Sequence, residues 1–197
     1  MLFPRTRWSL SSAVLLCCGV LTPAVVHGET AVFDPARTTI NFTLRDVLHT
    51  VHGSFKLKSG VIHFDPNTGK ASGLVVVDAK SGDSGSGARD RRMHKNILES
   101  DRYPEIAFTP DRLTGKMATN GTAQIQMHGL FRIHGVDHEM TLAFQVETES
   151  RQVTASTHFS VPYVQWGMKN PSTFILKVNE TVDIDVRATG ELSDGPP

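Results

Sequence analysis

The chain alternates apolar and polar residues over most of its length, and one long stretch interrupts the alternation. From residue 31 onward the period of two is typical of strands that bury one face, and its length allows roughly nine of them. The interruption, residues 83–104, places Met93, Ile97 and Leu98 at helical spacing and predicts a helix over 88–99. Consecutive antiparallel strands favour a closed, up-and-down, all-β barrel of about eight strands with one short amphipathic helix.

Several local predictions refine this barrel. Residues 51–57 and 62–64 are predicted as two separate strands, and 174–178 as another. Residues 129–133 and 139–146 are predicted to form a hairpin. The run Leu74 to Val77 is apolar on both faces, which predicts that the helix covers the outer face of the sheet at this point.

The first 28 residues have the layout of a secretory signal peptide. Arg5 and Arg7 precede an apolar run, and Val26 and Gly28 are small residues at the positions expected before a cleavage site. The alternative, a membrane anchor, needs roughly 20 apolar residues, whereas this run is shorter and is broken by Pro23. We expect cleavage after Gly28 and a periplasmic or secreted protein without stable membrane insertion.

The expected mature chain, residues 29–197, is a single domain without internal repeats. Cys17 and Cys18 lie in the signal, so neither disulfides nor thiol chemistry is expected. The chain has 20 basic and 20 acidic residues, and loss of Arg5 and Arg7 leaves a formal charge near −2. This balance predicts no nucleic-acid partner and no attraction to an anionic membrane surface.

The sequence offers little for catalysis or metal binding. It contains no nucleophile elbow, no zinc-protease helix, no phosphate loop and no dinucleotide fingerprint, so we expect no enzyme and no cofactor. Two histidine pairs, His49 with His52 and His134 with His138, have spacings that a metal could use. Neither pair lies on a predicted helix and no cysteine accompanies them, so we expect scattered, solvated histidines and no metal site.

A set of motifs resembles the YceI-like proteins, an exported bacterial family with a lipocalin-like barrel that binds polyisoprenoid lipids. The motifs are, in chain order, Val51-His52-Gly53-x-Phe55, Gly60-x-Ile62-x-Phe64-Asp65, Asp83-Ser84-Gly85 with Arg89-Asp90, Tyr103-Pro104-x-Ile106-x-Phe108, and residues 129–136. The resemblance covers roughly residues 33–191. One departure lies near Trp166-Gly167, where the aromatic-glycine pair is present but the family's usual charged residues are not.

The resemblance implies a non-enzymatic carrier or reservoir for a polyisoprenoid or similar apolar lipid, a prenylated quinone included. Trp166 is expected either to cap the mouth of the pocket or to plug the barrel end. Arg89 and Asp90 are expected to fix the loop and the start of the helix by hydrogen bonds, and contact of Arg89 with a phosphate or quinone head group is the alternative. A homodimer is left open, and the alternative function is an exported metal-binding or stress-protective barrel without lipid cargo. The expected ligand-binding residues are Ile40, Phe42, Val51, Phe55, Ile62, Arg89, Ile97, Leu98, Phe108, Ile125, Leu142, Phe144, Phe159, Trp166 and Phe174.

Overall fold

The computed structural model of the chain describes residues 28–46, 49–173 and 177–195. The predicted signal peptide up to residue 27 and the predicted site residue Phe174 lie outside the described residues. The described strands are β1 (Glu29–Phe33), β2 (Thr39–Arg45), β3 (Thr50–Phe64), β4 (Ala71–Asp83), β5 (Glu105–Gly115), β6 (Gly121–Ile133), β7 (Val136–Glu149), β8 (Gln152–Val161) and β9 (Val182–Asp194).

The strands form one closed antiparallel barrel, as the alternation predicts. Strands β2 to β9 follow one another around the barrel, and pairing of β2 with both β3 and β9 completes the ring. The extra strand β1 pairs with the far ends of β3 and β9. It therefore occupies the same position in the barrel as β2, further along the barrel axis, and a short 3-10 turn, Pro35–Arg37, joins it to β2. Eight strand positions therefore enclose the interior. Strand β1 was missed in the sequence because only Ala31 and Phe33 mark its alternation.

The up-and-down order sorts the connections between the two ends of the barrel. We call helix end the end that holds the connections β2–β3, β4–β5, β6–β7 and β8–β9, which include the helix and the long segment after β8. The opposite end, the turn end, holds the connections β3–β4, β5–β6 and β7–β8. At the helix end, the predicted hairpin turns tightly at His134 and Gly135, whose φ angles of 53° and 77° suit a two-residue turn.

The prediction of two strands over 51–57 and 62–64 is wrong, because they are parts of the single strand β3. Its register against β4 slips between Leu57 and Ser59, which marks a β-bulge. An extra residue at a bulge reverses which residues face inward. Odd-numbered residues such as Val51 line the interior before the bulge, and even-numbered residues such as Ile62 line it afterwards.

The predicted helix is present, although its second half has another geometry. An α-helix, α1 (Gly87–Arg92), is followed by a π-helical turn, Met93–Ile97, in which the Leu98 N–H donates to the Met93 carbonyl at 2.9 Å. The π turn brings Met93, Ile97 and Leu98 to the barrel interior. The prediction that the helix covers the outside of the run Leu74 to Val77 is wrong, since Leu74 remains 46% exposed and the helix helps to wall the interior.

No helix among the described residues is long and apolar enough to cross a bilayer.

Candidate functional site

The barrel encloses a cavity of about 670 Å³, bounded by residues from every strand and from the helix. This volume lies within the range of about 300–1,000 Å³ that is typical of pockets for small ligands. Most of the wall is apolar, because the inward residues of the alternation are aliphatic and aromatic. The arrangement therefore suits a ligand that is itself largely hydrocarbon.

The pairing of β6 with β7 shows how the sequence builds this wall. Ile125 lies directly opposite Phe144, and Met127 lies opposite Leu142, so each pair presents both side chains to the same face. All four side chains line the cavity. Strand β8 continues the pattern with Thr157, whose hydroxyl oxygen is buried and has no hydrogen-bond partner among the described residues.

The structure brings most of the predicted site residues together around the cavity. Those that line it are Ile40, Phe42, Val51, Phe55, Ile62, Arg89, Ile97, Leu98, Phe108, Ile125, Leu142, Phe144 and Phe159. Trp166 does not line it, and Phe174 lies outside the described residues. Further lining residues that the prediction left out include Phe33, Leu44, Leu57, Phe64, Met127 and Ile184. All except Phe33 belong to the predicted alternation, so the signal for them was present in the sequence.

Trp166 lies in the connection β8–β9 at the helix end, where it packs against the barrel instead of facing the cavity. Its ring stacks on His138 with centroids 3.8 Å apart and an angle of 8° between the planes, and it lies 6.0 Å from the ring of Phe131. Phe131 and His138 are direct partners across β6 and β7. Burial lowers the pKa of His138, although Asp137 opposes this, and its Nε2 has no hydrogen-bond partner among the described residues. His138 is therefore not the solvated histidine that the sequence led us to expect.

His134 also departs from the expectation of solvated histidines. Its ring lies 4.6 Å from that of Tyr103, and its Nε2 is 3.8 Å from a carboxylate oxygen of Glu99. Among the described residues, no group of three or more histidine, cysteine, aspartate or glutamate side chains is placed to hold a metal ion.

The polar part of the cavity wall is concentrated at the helix end. Asp46 and His49 contribute from the connection β2–β3. Ser84, just before α1, and Arg89 and Arg92, within α1, contribute from the connection β4–β5. These two segments are far apart in sequence and meet only because the barrel closes. The cavity therefore has an apolar body and a polar rim at one end. This distribution matches an amphiphilic ligand, which has an apolar tail and a polar head group.

Another polar group in the wall, the Tyr163 hydroxyl, is already satisfied by the protein. It donates a hydrogen bond to the Asn179 carbonyl at 2.7 Å. Burial, followed by the charge of Glu180, raises the pKa of Tyr163 to about 12. Tyr163 is therefore neutral and directs its proton away from any ligand.

A hydrogen-bond network around Ser84 fixes the rim. Arg89 donates from Nε to the Ser84 hydroxyl oxygen at 2.8 Å and from Nη2 to the Ser84 carbonyl at 2.7 Å. The Ser84 hydroxyl and N–H both donate to Oδ1 of Asp90. Burial acts to raise the pKa of Asp90, but the two Ser84 hydrogen bonds and the charges of Arg89 and His94 outweigh it, so this pKa is lowered. Asp90 is consequently ionised and holds the loop in place at neutral pH.

Fold and cavity together define a class: closed antiparallel barrels whose interior holds one small apolar ligand. A family model described as the YceI-like domain matches residues 32–190. The chain belongs to the YceI-like family, and the resemblance drawn from the motifs is confirmed.

Solved structures show the same fold at low sequence identity. BcnA from Burkholderia cenocepacia matches with a TM-score of 0.65 and 16% identity over 80% of this chain and 98% of its own. A polyisoprenoid-binding domain from Saccharophagus degradans, implicated in plant cell wall breakdown, matches with a TM-score of 0.65 and 15% identity. The match covers 83% of this chain and 98% of that domain. The YceI protein of Campylobacter jejuni matches with a TM-score of 0.52 and 13% identity. The match covers 98% of this chain and 100% of that protein. No curated protein matched the chain.

Proposed function

We propose that this protein is an exported, non-catalytic carrier or reservoir that holds a polyisoprenoid or similar apolar lipid, prenylated quinones included, inside its barrel. The observation that carries the proposal is the apolar cavity of about 670 Å³ inside the barrel. The similar domain from Saccharophagus degradans, described as polyisoprenoid-binding, supports the same class of ligand. Such lipids are nearly insoluble, so crossing an aqueous compartment requires a protein that shields the tail.

The physics of the cavity favours a class of lipids over one member. Each buried methylene contributes about 0.8 kcal/mol, and a hydrocarbon tail offers no hydrogen-bonding group for finer selection. Summed over a long tail, the burial free energy would exceed the limit of about 18–21 kcal/mol that non-covalent affinities reach. The entropy cost of ordering the tail must therefore offset much of it. We expect affinity to rise with tail length until the cavity is full.

A blocked cavity tests the proposal directly. Ala155 is buried and lines the cavity, so Ala155→Trp places a large ring in the space that the tail would use. The matched control is Ala143→Trp, because Ala143 lies on the adjoining strand β7 but faces solvent. We expect purified A155W to lose uptake of a polyprenyl probe and A143W to retain it, with circular dichroism confirming that both fold. Equal uptake by the two folded variants would contradict an internal binding site.

Export is a separate part of the proposal. Expression in a bacterium with its own signal sequence should yield a protein that begins at Glu29 and is released with the periplasmic or culture fraction. Amino-terminal sequencing and fractionation would establish both points. A full-length chain retained in the cytoplasm would contradict export and leave the binding proposal unaffected.

A further inference from the structure

Helix α1 helps to wall the cavity at the helix end, yet it buries none of its own residues. Arg89 and Arg92 line the cavity from α1, and both are exposed residues. The apolar side chains that this segment adds to the wall, Met93, Ile97 and Leu98, all follow the helix. Elements with so little buried surface open at a low cost in free energy, and the lids of binding proteins are drawn from them.

The hydrogen bonds of α1 join it mainly to the segment from which it starts. Arg89 and Asp90 both bond to Ser84, which precedes the helix by three residues. Among the described residues, one hydrogen bond joins α1 to another connection, and it runs from Nη2 of Arg92 to the Pro171 carbonyl in β8–β9 at 3.0 Å. A single hydrogen bond from an exposed side chain therefore holds α1 across the helix end.

The chain on both sides of α1 suits a hinge. Gly85, two residues before the helix, has a φ of 77°, and a Cβ at this position would meet no atom beyond its chain neighbours within 4 Å. After the helix, the backbone continues as the π turn Met93–Ile97, a geometry that is frequent at functional sites. The chain is anchored again within this turn, because Nε2 of His94 donates to the Gly82 carbonyl at 2.9 Å. Helix α1 therefore lies between an unpacked glycine and an irregular turn.

The rest of the barrel offers the ligand no easier route. The β4–β5 ladder ends at Asp78 and Glu105, whereas β4 continues to Asp83 and leads into the connection that contains α1. Elsewhere, passage between strands would break a ladder of backbone hydrogen bonds. At the turn end, buried core side chains such as Val146 and Val153 fill the interior. Passage at the helix end therefore disrupts the fold least.

We propose that α1 is a lid on the cavity, closed by the hydrogen bond between Arg92 and Pro171, and that it opens to admit and release the cargo. The inference rests on the proposed function and adds the route by which the ligand passes. In this proposal the hydrogen bond holds the lid closed both with and without cargo. Its loss therefore raises the association and dissociation rates together and leaves their ratio, the affinity, unchanged.

Exchange rates test the lid, because affinity alone does not report it. A neutral fluorescent farnesol analogue is mixed with the mature protein by stopped flow, and its release is followed after addition of excess farnesol. Arg92→Ala should raise both rates about fivefold, the equivalent of one hydrogen bond, at an unchanged dissociation constant. Arg91→Ala is the matched control, because Arg91 is an exposed residue of the same helix that does not line the cavity. Its rates should equal those of the unmodified protein.

A covalent lock tests the lid in the opposite direction. Cys17 and Cys18 lie in the predicted signal, so the expected mature chain has no other thiol. In the double variant Arg92→Cys and Pro171→Cys, a short bifunctional maleimide would join α1 to the connection β8–β9. We expect the cross-linked protein to lose most of its uptake and release. The same variant treated with a monofunctional maleimide, which blocks both thiols without joining them, should exchange the probe rapidly.

The outcomes are distinguishable. Faster release of the probe from Arg92→Ala at an unchanged association rate would overturn the lid, because it would mean that Arg92 contacts the cargo. Unchanged rates in Arg92→Ala, equal acceleration by Arg91→Ala, or rapid exchange in the cross-linked protein would also overturn it and leave the lipid carrier in place. Failure of the unmodified protein to take up the probe would overturn the carrier proposal itself. Arg92→Ala decides the outcome if the double variant does not fold.

Discussion

The buried hydroxyl of Thr157 gives a quantitative test of what fills the cavity. Thr157 lines the wall, is only 8% exposed, and its Oγ1 has no hydrogen-bond partner among the described residues. The hydroxyl is unpaired and shielded from water before any ligand binds, which costs the folded protein about 1–3 kcal/mol, and an apolar tail would not change this. Thr157→Val replaces the hydroxyl with a methyl group of the same shape. We therefore expect the variant to raise the free energy of unfolding by about 1–2 kcal/mol and to bind a purely apolar tail with nearly unchanged affinity.

A second threonine separates binding from stability. Thr148 is 4% exposed and its hydroxyl is likewise unpartnered, but it does not line the cavity. Thr148→Val should raise the free energy of unfolding by about 1 kcal/mol in urea and leave ligand affinity unchanged. Both variants are measured by farnesol titration and urea unfolding. Weaker binding by Thr157→Val would refute the reasoning, because it would mean that the hydroxyl donates to a polar part of the ligand.

Two further predictions concern the hairpin and the histidines. Gly135→Ala should lower the free energy of unfolding in urea by about 1–3 kcal/mol. The φ of 77° at Gly135 disfavours a side chain, and a Cβ there would clash with the Tyr103 ring. An unchanged urea midpoint would contradict this. In an NMR titration, the hydrogen bond to Asp111 should hold the pKa of His128 above 6.5, whereas burial should hold that of His138 below 6.5. His128 therefore stabilises the fold below pH 6.5 and loses this as pH rises through its raised pKa, while His138 destabilises it as pH falls below 6.5. The opposite order of the two pKa values would refute these assignments.

The barrel could be predicted from the sequence because its cause is local. Most inward residues are apolar and most outward ones are polar, so residues such as Ile125 and Phe144 reveal their face by position alone. The bulge near Ser59 was not predictable as such, because a reversed alternation within one strand has the same pattern as two short strands. The π turn after Arg92 was missed for a similar reason, since helical spacing does not separate α from π geometry.

The candidate site was predictable in its apolar part, and in its polar part only at Arg89. The lining side chains follow from the alternation, but the rim joins Asp46 from one connection with Arg92 from another, and only closure of the barrel brings them together. The fold of the connection also determines where the Trp166 ring lies, which is stacked on His138 instead of lining the cavity. Sequence spacing carries no information on such contacts, because they depend on how each connection folds back over the barrel end.

The central claim is that the barrel carries a lipid, and its most direct test is organic extraction and mass spectrometry of the mature protein purified without detergent from its native compartment. We predict a polyisoprenoid lipid in about one-to-one ratio with the protein. Protein that yields no extractable lipid and takes up no polyprenyl probe would contradict the account, and a stoichiometric metal in the same sample would favour the metal-binding alternative.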